Sequence, residues 1–287
     1  MINKTHYKTV NVGNTDIFYR EAGNITSPTL LLLHGFPTSS HMYRNIIPML
    51  SENFRVIAPD LPGFGSTIAP PRGEYEYTFE NLYKTIEEFI EILALDHYAI
   101  FVFDYGAPVG FRLATANPQK ITAIISQNGN AYEEGLLAAW DPIRAYWEDS
   151  SQKSRDALKV FLTEDTTHLQ YHHGVPEDMK MLLSPDSMMH DQWILDRDNE
   201  IQLDLFGDYK SNIALYPVWQ EYLRTYKPPF LATWGKNDLF FGPQGAEAFK
   251  KDLPDAEIHL FETGHFALET HGDEIASLVN NFLLNKT

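Results

Sequence analysis

The sequence predicts an α/β fold: a mostly parallel, doubly wound sheet interrupted by a helical insertion. Three observations predict it. Short unbroken apolar runs alternate with a segment of helical spacing in the first half of the chain. Two segments of strand character return near the end. The stretch between them is rich in Trp, Tyr, His and Met and offers no convincing strand. Short unbroken apolar runs are the mark of strands buried on both faces, as in a parallel sheet covered by helices.

Each element follows in order. Asp16 to Glu21 is a short candidate strand. Thr29 to Leu33 is a continuous apolar run ending at His34-Gly35, and Phe54 to Ala58 ends at Pro59-Asp60. From Phe79 to Leu95 the spacing turns helical, with Phe79, Leu82, Ile86, Phe89, Ile90 and Leu93 on one face. Tyr98 to Phe103 and Ile121 to Ile125 are further buried-strand candidates. Ala138 to Trp147, Ser154 to Leu162 and Pro176 to Leu183 read as short helices. Strand character resumes at Phe230 to Trp234 and Glu257 to Phe261, followed by a helix from about Asp273 to Leu284. The expected division is a core of residues 1–129 and 227–287 with a helical cap, placed to act as a lid, over 130–226.

Composition narrows the function. Of the 287 residues 44% are hydrophobic and 21% charged, which sets aside disordered, collagen-like and coiled-coil readings. Lys+Arg 22 against Asp+Glu 39 gives a net charge of -17, which disfavours nucleic acid and anionic lipid as partners. The absence of cysteine excludes disulfides, thiolate metal sites and a Cys nucleophile. His168, His172 and His173 complete no ligand pattern, so neither metal nor cofactor is expected. Met1 to Tyr7 shows no signal-peptide pattern and no apolar run is long enough to span a bilayer, so the expected location is cytoplasmic.

In an open parallel sheet, ligands bind at the carboxyl ends of the strands. The runs of this chain end in His34-Gly35-Phe36-Pro37, in Asp104-Tyr105-Gly106, in Gln127-Asn128-Gly129, in Gly235-Lys236-Asn237-Asp238 and in Gly264-His265-Phe266. Asp104 stands where a strand turns directly into a helix, with small Gly106 two residues on. That suits either a nucleophile elbow or a plain helix N-cap. Asp238 and His265 follow later strands and complete the order nucleophile, acid, histidine.

On these motifs the chain resembles the α/β-hydrolase superfamily from about Val12 to Leu284. His34-Gly35-Phe36-Pro37 looks like its oxyanion loop, and Pro59-Asp60-Leu61-Pro62-Gly63-Phe64-Gly65-Ser66 resembles the loop after the next strand. With Asp104 in place of serine, the resemblance is to the Asp-nucleophile branch of epoxide hydrolases and haloalkane dehalogenases. It implies that Asp104 attacks an sp³ carbon to form an alkyl ester. His265, oriented by Asp238, would then activate water against that ester, with the N–H groups of Phe36 and Tyr105 as oxyanion hole.

The two groups divide on the leaving group. Epoxide opening needs an acid, for which Tyr216 is the lid candidate; Phe36-Pro37 and Gly106-Ala107-Pro108-Val109 are similar to epoxide hydrolases. Halide release needs N–H donors. The segment from Pro37 to Pro48, Val102 and Asn128 are similar to dehalogenases, but Tyr105 and Phe36 stand where those enzymes place donors. Asn128, Trp140 and Trp193 are candidate pocket residues. Epoxide hydrolysis of a small apolar electrophile by water is the leading reading, and haloalkane or haloacid dehalogenation is the alternative. A non-catalytic small-ligand receptor on this fold ranks third, since a receptor has no need of all of Asp104, Asp238 and His265.

Overall fold

The computed structural model describes residues 4–286, so Met1–Asn3, where the expected core segment and the signal-peptide expectation begin, and Thr287 lie outside the described residues. Its strands are β1 (His6–Val12), β2 (Thr15–Ala22), β3 (Thr29–Leu33), β4 (Arg55–Pro59), β5 (Tyr98–Phe103), β6 (Ile121–Gln127), β7 (Phe230–Gly235) and β8 (Glu257–Phe261). They form one sheet in the order β1-β2-β4-β3-β5-β6-β7-β8. β1 and β2 pair antiparallel, as do β2 and β4, and every pairing from β4 through β3 to β8 is parallel.

The buried runs earn both faces. In β3, Leu31 and Leu33 enter one core with the helix Phe79–Ile92, while Leu30 and Leu32 enter the opposite core with the helix Ala267–Lys286. A strand's side chains alternate with period two, so a sheet sandwiched between helices requires an apolar residue at every position. Thr78 starts the helix Phe79–Ile92 by accepting the Asn81 N–H with its side chain.

Between β6 and β7 the described chain is helical. The expected helix at 138–147 resolves into a 3₁₀ turn Ala138–Trp140 and a helix Asp141–Glu148; that at 176–183 is 3₁₀ over Glu177–Leu182. The longest helices of this region, Pro185–Arg197, Asn199–Asp208 and Lys210–Tyr226, went unpredicted. So did β1, whose residues are mostly exposed and show no apolar run. The terminal helix starts earlier than expected, at Ala267, and kinks at His271. Arg44 ties that helix to the turn after β3 through two 2.9 Å hydrogen bonds to Glu269.

Candidate active site

β5 is buried throughout and runs straight into the helix Gly106–Ala116. Asp104 makes the turn with a left-handed backbone, φ 46°, a strained conformation for a non-glycine residue that aims the side chain beyond the sheet. Close packing enforces the elbow: a Cβ on Gly106 would lie 2.0 Å from the Leu33 carbonyl oxygen. Asp104 does not cap its helix. Its Oδ1 instead accepts the Phe36 and Tyr105 backbone N–H groups, both at 2.6 Å. One carboxylate oxygen is therefore held between two backbone donors.

Asp238 and His265 arrive from the loops after β7 and β8. His265 Nδ1 donates to Asp238 Oδ2 at 2.7 Å. This tautomer leaves Nε2 as the basic nitrogen. Asn128 is not a pocket residue. It holds the acid: Nδ2 donates to Asp238 Oδ2 at 2.7 Å, and its own amide is clamped to Gly235 through both main-chain groups. The other Asp238 oxygen accepts the Phe240 N–H at 2.7 Å.

Asp104 and His265 are 5% and 3% exposed. Burial pushes the Asp104 carboxyl up to about 6, against the downward pull of His265 and the two backbone N–H groups. Burial also pulls the His265 imidazole down, but the Asp238 charge and hydrogen bond, with the Asp104 charge, raise it above its ordinary value.

The two groups meet in a pocket walled by Phe36 and Tyr105 from the core and by Trp140, Phe161, Gln170 and Phe206 from the helical segment. It leaves about 20 Å³ for the centre of a water-sized sphere. A larger groove of about 450 Å³, beside Arg72, Tyr77, Tyr146 and Arg155, contains neither Asp104 nor His265.

Of three further candidates from the sequence, Trp140 lines the pocket as expected, and Trp193 and Tyr216 take other places. Trp140 lines the pocket, but its indole N–H donates to the Phe240 carbonyl at 3.1 Å. Trp193 is 54% exposed, with Arg197 over its ring, and does not reach the pocket. Tyr216 does not line it either; its hydroxyl accepts from Asn130 Nδ2 at 3.2 Å. Tyr209 comes closer. Its ring lies 4.3 Å from that of Trp140 and 5.8 Å from that of Tyr105, so it packs behind two pocket residues without lining the pocket itself. Burial, the Tyr216 hydroxyl and the Asp104 charge raise its pKa well above the usual value. Tyr209 and Tyr216 are seven residues apart, nearly two helical turns, and so share a face. Spacing alone therefore could not choose between them.

Sheet order, elbow and the Asp104–His265–Asp238 arrangement define the class, a hydrolase on an α/β scaffold. The chain belongs to the alpha/beta hydrolase fold family, whose model matches residues 28–272. It is 46% identical over 267 residues to an uncharacterized hydrolase of Saccharomyces cerevisiae, covering 91% of this chain and 90% of that one. A haloalkane dehalogenase of Mesorhizobium japonicum is 28% identical over 289 residues, covering 92% and 87%. The structure of a laboratory-evolved potato epoxide hydrolase superposes with TM-score 0.77 at 20% identity, over 98% and 99% of the two chains, a likeness of fold.

Proposed function

We propose that this hydrolase opens small apolar epoxides through an alkyl ester on Asp104. The observation that carries the reading is the seating of Asp104 Oδ1 on the Phe36 and Tyr105 N–H groups. In the first step Oδ2 bonds to an epoxide carbon, the C–O bond breaks, and the alkoxide takes a proton from Tyr209. In the second, His265 Nε2 takes a proton from water, and the water oxygen bonds to Asp104 Cγ. The charge that develops at Oδ1 is already in its hole. Collapse breaks the bond from Cγ to the alkyl oxygen, and the proton on His265 passes to that oxygen. The remaining water proton, left on the new carboxylic acid, returns to Tyr209. No metal or cofactor is called for.

Two features favour an epoxide. Tyr209 supplies a buried phenol packed against the pocket residues Trp140 and Tyr105. The indole N–H groups of Trp140 and Trp147 are spent on the Phe240 and Phe206 carbonyls, so neither serves a halide. The likeness to the Mesorhizobium haloalkane dehalogenase supports a second reading, in which Asp104 Oδ2 displaces halide from a haloalkane as the ester forms and water then releases the alcohol.

The test is a paired assay of diol formation from styrene oxide and halide release from 1-bromobutane, with Asp104→Asn as the blank. Diol without halide is expected, with no turnover by Asp104→Asn. His265→Gln should stop after the first step and carry a covalent adduct on Asp104, seen by mass spectrometry. Halide without diol would establish the second reading. A parent enzyme that turns over substrate while His265→Gln never carries an adduct would defeat the two-step scheme.

A further inference from the structure

Gln170 sits on the helix Glu164–His172 and is 2% exposed. It lines the pocket of Asp104 and His265, yet its Nε2 amide finds no acceptor among the described residues. A buried N–H group without an acceptor is unfavourable, because it has given up its hydrogen bond to water. Apart from Gln170, Asp104 and His265, the pocket wall is aromatic and aliphatic. A carboxamide left unsatisfied in such a wall fits a polar partner that the reaction itself brings.

The neighbouring chain indicates which partner. The Tyr171 ring stacks on that of Phe266 at 4.0 Å. The His173 carbonyl oxygen lies where a Cβ on Gly264 would come within 1.9 Å. Asn237 Nδ2 donates to the Gly174 carbonyl at 3.0 Å. Residues 170–174 are thus held against the loops that carry His265 and Asp238. Gln170 therefore enters the pocket on the side of the base. The leaving group must depart in line with, and away from, Asp104 Oδ2. The free space beside these groups, about 20 Å³, is the size a single water needs, and a bound water takes two to four polar partners.

We infer that Gln170 is a positioning residue for the hydrolytic water: its amide N–H donates to the water oxygen while that water donates to His265 Nε2. One lone pair is held by the amide and the other is directed at Asp104 Cγ. The inference rests on the two-step reading above. It concerns the second step alone, because the attack of Asp104 on the substrate uses no water.

Gln170→Leu keeps the size of the side chain and removes the amide; Gln170→Met is the backup should the first variant not fold. With styrene oxide, hydrolysis of the ester should slow by about a hundredfold, the order of loss for a misplaced reactant. kcat and KM should fall together and kcat/KM stay unchanged, since kcat/KM reports the alkylation step. The Asp104 adduct should then persist in the steady state, which a merely structural role of Gln170 would not produce. Adduct in His265→Gln with parent-like ester hydrolysis in Gln170→Leu would overturn the inference. So would a loss of kcat/KM, which would put Gln170 on the substrate or leaving group. Failure of His265→Gln to form an adduct from a substrate the parent turns over would instead remove the two-step reading beneath it.

Discussion

In the proposed mechanism Asp104 and His265 must both be deprotonated to act, their surroundings raise the pKa of each, and their coupling sets the pH behaviour. Asp104 attacks only as the carboxylate, and burial has moved its pKa up to about 6. kcat/KM should therefore climb about tenfold per pH unit below 6 and level off above it. His265 must be unprotonated to act as base, and in the free enzyme the Asp104 anion is one of the groups that raise it. Esterification erases that anion. The imidazole pKa then falls at the stage when a free base is needed, while Asp238 still holds its Nδ1–H. The pKa seen in single-turnover ester hydrolysis should accordingly lie below the His265 pKa of the free enzyme measured by NMR. Equal values, or a kcat/KM that is flat from pH 5 to 8, would contradict this account of the pair.

At the scale of elements, the link between Arg44 and Glu269 joins the turn after β3 to the terminal helix, and Ser187 of the helix Pro185–Arg197 also donates to Glu269 at 3.3 Å. The Glu269 side chain is nearly buried. Arg44→Ala strands its charge and should cost about 3 kcal/mol, read as a lower urea midpoint at unchanged slope. Arg44→Met combined with Glu269→Leu should recover most of the loss; a double variant as weak as the single one would mean that the pair itself is stabilising. This tie was not legible in the sequence, where Arg44 and Glu269 are two ordinary surface types far apart. The parallel strands were legible because burial on both faces demands unbroken apolar runs such as Leu30–Leu33 and Ala99–Phe103. Asp104, Asp238 and His265 were legible as a set because each follows a strand, although the strand before His265, Glu257–Phe261, is mostly not buried. The helical segment hid its contribution. Tyr209 and Tyr216 share a helix face, and Gln170 is an unremarkable helix residue until the fold buries its amide among aromatic rings. Asn128 was legible as a strand-end residue, but its turn toward Asp238 depends on a left-handed backbone, φ 47°, that no pattern announces.

Over the whole molecule the charge is -17, with 22 cationic side chains against 39 anionic ones. A field of that sign slows the approach of anionic substrates and is indifferent to neutral ones, which favours a neutral epoxide over a haloacid. The same charge bears on stability, where two effects of salt oppose each other. Surface pairs such as Lys251–Glu134 and Lys236–Glu262 lose strength when screened, but each is worth only about 0–1 kcal/mol. Self-repulsion among the excess acids is screened too, and it outweighs the pairs because at least 17 carboxylates have no cation to pair with one to one. The screening length shrinks from about 30 Å at 0.01 M to about 8 Å at 0.15 M, so most of the repulsion is removed across that range. The melting temperature at pH 7.5 should therefore rise by about 2–4 °C between those sodium chloride concentrations, as roughly 1 kcal/mol of repulsion is relieved. A melting temperature that falls over the same range would show that the surface pairs, and not the uncompensated acids, dominate the electrostatics of the folded chain.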